Sequence, residues 1–172
     1  MNSTDTANSE MTVRKAGLEE IASVEPLWLA LYRHYASILP TLAGLPVRSA
    51  DESWRRRCAM YEGWLADDEG FLVIVEIDDR MVAYAAVHIG VGLSVWQTGE
   101  HVGVWETMSV LPDMAGKGIG NAVVDAVLAE LRERGITELM GKTTEGNVGG
   151  RDFFMHKGGV PINTVMLYRL PS

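Results

Sequence analysis

Between Leu111 and Asn121 the chain reads Leu-Pro-Asp-Met-Ala-Gly-Lys-Gly-Ile-Gly-Asn, and no other stretch constrains the fold as strongly. An apolar segment with strand alternation, His101 to Leu111, runs into it. Out of it run Ile119, Val123, Val127 and Leu131, the apolar stripe of an amphipathic helix that Gly135 stops. Gly116, Gly118 and Gly120 therefore occupy a strand-to-helix corner. Glycine tolerates positive φ and lets a ligand approach the backbone closely. The first N–H groups of a helix lack internal partners, and the helix dipole adds positive charge there. Such a corner is either a tight turn or an anion cradle, with Lys117 at its rim. The Walker pattern is absent, and G-x-G-x-G is not the dinucleotide-binding G-x-G-x-x-G.

The rest of the chain supplies the layers this corner needs. Met11 to Ala16 reads as a short strand and Leu18 to Ala36 as a helix, with Pro26 near its start or kinking it. Leu39 to Pro46 reads as a loop. Ser49 and Glu52 have capping-box spacing, and Trp54, Cys58, Tyr61 and Leu65 continue one helical face to about Ala66. Phe71 to Ile77 and Met81 to Ile89 flank an Asp78-Asp79-Arg80 turn, which predicts an antiparallel hairpin. Glu138 to Lys142 reads as a strand, Asn147 to Lys157 as a helix, and Thr164 to Leu170 as a last strand. The order is β-α-α-β-β-β-α-β-α-β. The fold class is α/β (α+β), a mixed, mostly antiparallel sheet flanked by helices. A length of 172 residues suits one domain over 11–172, with Met1 to Glu10 a frayed tail that lacks the apolar core of a signal peptide.

The formal net charge of −8 argues against nucleic-acid or membrane-surface partners and suits a cationic substrate. No apolar run is long enough to span a bilayer. One cysteine, Cys58, makes no internal disulfide and fits a reducing, cytoplasmic setting. His, Asp and Glu show no metal-ligand spacing, so no metal is expected.

Two separated motifs together resemble the GNAT superfamily of acyl-CoA-dependent N-acetyltransferases. Val110-Leu111-Pro112 is similar to the family's Val-x-Pro strand end. Ala115-Gly116-Lys117-Gly118-Ile119-Gly120 is similar to its pyrophosphate loop, with Ala115 in place of Arg or Gln. Asn147 to Gly158 resembles its Asn-x-x-Ala-x-x-Phe-Tyr-x-x-x-Gly block through Asn147, Phe153 and Gly158, with Gly150 for Ala and Phe154 for Tyr. The resemblance implies acetyl-CoA as donor and an amine of a small molecule or peptide as acceptor, joined by direct attack. It implies a homodimer by family habit. Residues 115–121, closing on Asn121, would hold the pyrophosphate. The backbone of Met108 and Val110, with Ser109 between them, would bind the pantetheine. Asn147 would sit beside it at the fork of the sheet, and Phe154 would pack there without a proton to donate. A backbone N–H, that of Val110, would stabilise the oxyanion.

Glu106 is the candidate base. Alternation places it on one apolar strand face with Val102, Val104, Met108 and Val110, where burial disfavours the charged form and raises a carboxyl toward useful basicity. The resemblance also implies that a Glu here accepts the amine proton through water. A solvated Glu, or one that only binds a cationic substrate, is the alternative. The Arg55-Arg56-Arg57 run reads as a solvated face, and His88, His101, His34, Tyr35 and Trp96 as packing or surface residues. His156 and Lys157 would lie within reach of a CoA phosphate. Two other functions stay open: an acyl-CoA sensor without turnover, motivated by Ala115 and Phe154, and an α/β domain whose loop holds another phosphate ligand.

Overall fold

The structure is a computed structural model that describes residues 10–38 and 46–167. Strand β1 (Met11–Ala16) leads through a 3-10 turn, Leu18–Val24, into helix α1 (Glu25–Ile38). Pro26 lies in the first turn of α1, where its missing N–H costs nothing. Helix α2 (Ala50–Ala66) starts at Ser49, whose hydroxyl accepts from the Glu52 N–H at 3.2 Å. The Glu52 carboxylate does not close the box. It pairs instead with Arg56, at 3.2 Å. The predicted loop Leu39 to Pro46 falls almost wholly outside the described residues.

Strands β2 (Gly70–Ile77) and β3 (Arg80–Val91) form the predicted hairpin. Asp78 and Asp79 both take positive φ, as a two-residue turn of matching twist requires. Strand β4 (His101–Val110), helix α3 (Ile119–Glu133), strand β5 (Leu139–Gly141) and helix α4 (Val148–His156) follow. The five strands lie in chain order, antiparallel throughout except β4 beside β5, which is parallel. The final strand expected over Thr164 to Leu170 is not formed in its described part. Residues 164–167 pair with nothing and Val165 and Leu167 are exposed, while 168–170 lie outside the described residues. An apolar run marks a strand only where an edge can receive it, and β5, three residues long, offers little edge.

Each sheet face buries its own core. On one side Val123, Val127 and Leu131 of α3 pack on Phe71, Val73, Val75 and Val87. On the other, Leu27 of α1 and Trp54 and Tyr61 of α2 pack on Leu72, Ile74 and Tyr84. Each of these aliphatic side chains contributes about 1.5–3 kcal/mol by leaving water. Gly103 lets α3 approach β4, since a Cβ there would lie 2.8 Å from both Leu131 methyls.

One buried carboxylate ties α3 to β1. Glu130 is 7% exposed, and its oxygens meet Lys15 Nζ and Arg134 Nε, each at 2.8 Å. Burial pushes its pKa up, but the hydrogen bonds from Lys15 and Arg134 outweigh that and hold it below the usual 4.5. A lowered folded pKa stabilises above the unfolded value, and this is lost as pH falls through the folded one. Glu130→Gln should therefore cost about 1–3 kcal/mol at pH 7. Denaturant melts of mutant and wild type should converge toward pH 3.

Candidate active site

Strand β4 carries an extra residue. Ala86 of β3 faces Thr107 and Val87 faces Trp105, so Glu106 is bulged out of register. Trp105 packs in the α3-side core, whereas the Thr107 hydroxyl accepts from Tyr61 of α2 at 2.7 Å. Beyond the bulge Met108 and Val110 join the α3-side core, and Ser109 Oγ donates to the Leu27 carbonyl of α1 at 2.8 Å. The single apolar face expected for Val102, Val104, Glu106, Met108 and Val110 is thus broken. One inserted residue reverses the alternation, which leaves Glu106 on the α2 side and Met108 and Val110 on the other.

The surroundings of Glu106 are correspondingly polar, contrary to the expected apolar company. Oε2 lies 3.3 Å from Arg57 Nη1 and Oε1 lies 3.5 Å from His88 Nδ1. The side chain is 21% exposed, open enough to be reached, held by Arg57 on one side and faced by His88 on the other. Arg57, taken from sequence as part of a solvated run, turns inward because the third arginine of the run falls on the sheet-facing side of α2.

A buried hydroxyl chain anchors the bulge. Tyr61 donates to Thr107 and shares a 3.3 Å contact with the Tyr84 hydroxyl. Burial raises both tyrosine pKa values, so both stay neutral at physiological pH. Tyr61→Phe strips Thr107 and Tyr84 of a buried partner and should cost about 1–3 kcal/mol in denaturant unfolding.

From the bulge onward one edge of β4 is unpaired among the described residues. Pairing with β5 ends at Trp105 opposite Gly141, while β4 continues to Val110. The Leu111 N–H donates to Val82 of β3. Strand alternation then turns the backbone groups of Val110 and Met108 away from β3, toward the open edge. Beside this stretch α1 leaves a pocket of about 230 Å³ lined by Ala30, Leu31, His34, Met108, Ser109, Val110 and Pro112.

The open edge leads to the glycine corner. Gly116 and Gly118 have φ of 77° and 79°, and Gly118 caps α3 with no side chain over it. Among the described residues the N–H groups of Gly116, Lys117, Gly118, Ile119 and Gly120 donate to no protein acceptor, whereas that of Asn121 already donates to the Gly118 carbonyl. Gly120 is glycine for a different reason: a Cβ there would press Met108 at 3.2 Å and Phe153 at 3.4 Å. The Lys117 ammonium lies 3.4 Å from Met114 Sδ at the rim. Asp113, the nearby acid, is paired with Arg80 at 3.0 Å, which holds its carboxyl below the usual range. The local field is therefore free of unpaired negative charge from that side.

Asn147 caps α4, its Oδ1 accepting from the Gly150 N–H at 3.1 Å. Tyr35 of α1 lies beside it, and burial raises that phenol above its ordinary value. Phe154 meets Trp105 edge-on at 5.3 Å, at the point where β4 and β5 part.

This geometry has known counterparts. The acetyltransferase (GNAT) family model matches residues 28–158, most of the chain. The chain belongs to the GNAT family. No curated protein matches this acetyltransferase by sequence at a significant level. Its fold is similar to that of a GCN5-related N-acetyltransferase from Ralstonia eutropha JMP134, with 20% identity, TM-score 0.74, and 94% of this chain and 99% of that one covered. It is similar to the aminoglycoside N-acetyltransferase AAC(6')-Iy in complex with CoA, with 18% identity, TM-score 0.71, and 97% and 99% covered. It is also similar to a ribosomal-protein-alanine N-acetyltransferase from Brucella melitensis biovar Abortus 2308, with 19% identity, TM-score 0.65, and 94% and 100% covered.

Within this GNAT chain the residues named from sequence follow the chain from Glu106 through Met108, Ser109 and Val110 to Ala115 and the loop, while Phe154 meets Trp105 where β4 and β5 part and Asn147 lies beside Tyr35 of α1. Ser109 differs from the rest, because its side chain is committed to α1. His156 Nδ1 is engaged by the Asp152 carbonyl at 2.7 Å, within its own helix. Among the described residues no group of three or more His, Cys, Asp or Glu could hold a metal ion, and no helix is long and apolar enough to cross a membrane.

Proposed function

We propose that this protein transfers the acetyl group of acetyl-CoA to a primary amine of a small molecule or peptide, with Glu106 as the base. The observation that carries the reading is the unpaired β4 edge, which joins the Glu106 bulge to the glycine corner. Bound acetyl-CoA supplies the acetyl group as an activated thioester. The free N–H groups of residues 116–120 suit a pyrophosphate, because helix-terminal donors bind an anion on a protein whose overall charge is −8. The backbone of Met108 and Val110 offers donors and acceptors for amides laid along the strand. The Val110 N–H also points to this edge, fit to stabilise negative charge developing on a carbonyl oxygen. Glu106 accepts the amine proton, directly or through water. Phe154 offers packing alone, and the missing side chain at Ala115 leaves the backbone donors to hold the phosphates.

Calorimetry and thermal melts test the reading. CoA and acetyl-CoA should stabilise the protein by ~2.7 kcal/mol at 100-fold excess over Kd, while ATP and NAD should not. Thiol release should then appear with some member of a panel holding an aminoglycoside, a polyamine and a peptide beginning with alanine. Stabilisation by ATP or NAD without CoA would overturn the proposal. CoA binding with no thiol release from any amine would leave a sensor instead.

A further inference from the structure

His88 plays no part in the reaction so far described, yet it is built against the base. Its Nδ1 is buried and has no hydrogen-bond partner, and it lies 3.5 Å from Glu106 Oε1. Its ring is stacked on Trp64 of α2, with centroids 4.6 Å apart and planes at 23°, which fixes the plane of the imidazole. In the Nε2–H tautomer, an imidazole Nδ1 facing a carboxylate oxygen sets two lone pairs against each other. A proton placed between them turns that repulsion into a charge-assisted hydrogen bond. In that tautomer the pair has a seat for one proton.

The rest of the surroundings narrows the exchange to these two groups. From α2, Arg57 holds the other carboxylate oxygen and the Tyr61 hydroxyl is committed to Thr107. From β2 and β4 the register partners of His88 are Gly70 and Val104, neither of which titrates. Arg57 stays charged, so it neither gives nor takes the proton.

We propose that His88 is the second proton seat of the Glu106 base: it positions the carboxylate and shares the proton that the carboxylate removes from the substrate ammonium. The proposal rests on Glu106 being the base. In the step, an amine N–H bond breaks, its electron pair stays on nitrogen, and the proton passes to Glu106 Oε1. It is then held between Oε1 and Nδ1, with the imidazole taking positive charge as it moves across. The Trp64 face under the ring favours that cation. Proton loss from the dyad to solvent restores the starting state. An imidazole that is already protonated leaves no seat, so activity falls at low pH by a limb that belongs to the pair.

Two measurements test this. The first needs no acceptor. The His88 ring is followed by NMR against pH in the wild type and in Glu106→Gln. Loss of the facing carboxylate should broaden the choice of tautomer, read from the ring nitrogen shifts. A tautomer distribution unmoved by Glu106→Gln overturns the proposal outright. The second is kcat/KM against pH with whichever panel amine turns over. His88→Asn keeps a polar group near the Nδ1 position but takes up no proton. It should lower the plateau ~10-fold or more and move the acid limb down by ~1 unit or more, since a carboxylate alone titrates lower than an imidazole. In His88→Ala, added free imidazole should restore rate in proportion to its neutral fraction. A plateau and limb unchanged in His88→Asn, with Glu106→Gln inactive, overturn the His88 role and leave the base assignment standing. Full activity in Glu106→Gln overturns the base assignment itself.

Discussion

Glu106→Gln is expected to lower turnover by ~10²–10⁴-fold, the usual worth of a positioned general base. The substitution keeps the shape of the side chain and removes its basicity. Affinity for acetyl-CoA, read by calorimetry, should hold within about twofold, because the donors assigned to the cofactor lie on the backbone of Met108, Val110 and residues 116–120. Stability should fall by no more than about 1 kcal/mol, because Arg57 is partly exposed and can be hydrated once its partner loses charge. A large loss of CoA affinity together with turnover would mean that Glu106 organises the strand rather than the proton. A salt titration offers a further check: the Arg57 and Glu106 side chains are 27% and 21% exposed, so the contribution of the pair should shrink modestly as ionic strength rises.

Gly118→Val is expected to act on binding instead. Gly118 has φ of 79° and no atom lies within 4 Å of the place its Cβ would take, so the cost is conformational rather than steric. A β-branched residue forced into the left-handed region costs about 1–2 kcal/mol. The chain would relieve that strain by rotating the peptide units that aim the loop N–H groups. Affinity for acetyl-CoA should therefore drop ~10–100-fold, or ~1.4–2.8 kcal/mol. Gly149→Ala is the control. It too has open space around it, but its φ is not positive and it lies in the first turn of α4. It should leave binding unchanged and stability unchanged or raised by about 0.5–1 kcal/mol. Equal losses in both variants would remove the glycine corner from the cofactor site.

The glycine corner was fully legible in the sequence because every part of it is local. A strand that stops at Pro112, two glycines needed for positive φ, and an apolar stripe repeating along α3 all lie within a few residues of one another. The β2–β3 hairpin was legible for the same reason, with Asp78 and Asp79 accepting a left-handed turn between two apolar runs. The open edge of β4 and the environment of Glu106 were not. A bulge is defined by what stands opposite it, and the partners here, Ala86 and Val87, lie about twenty residues upstream. Nothing in the β4 residues themselves marks Glu106 as the one out of register.

Arg57 and His88 show the same divide at the level of single side chains. A third arginine in a helical run and a histidine at a strand end are unremarkable in one dimension. They become partners of Glu106 only because α2 crosses β3 and β4 at that height, with Trp64 stacked on one and Tyr61 beside the other. The described stretch 164–167 is the converse case: its apolar content promised pairing, but it pairs with no strand, and pairing partners are supplied from elsewhere in the chain. From its sequence alone this chain determined its element order up to α4, its glycine corner and its family, since backbone conformation and periodicity are written locally. Which groups touch the carboxylate on β4, and which backbone donors of that strand stay free, was decided only when sheet register and helix packing brought distant residues together.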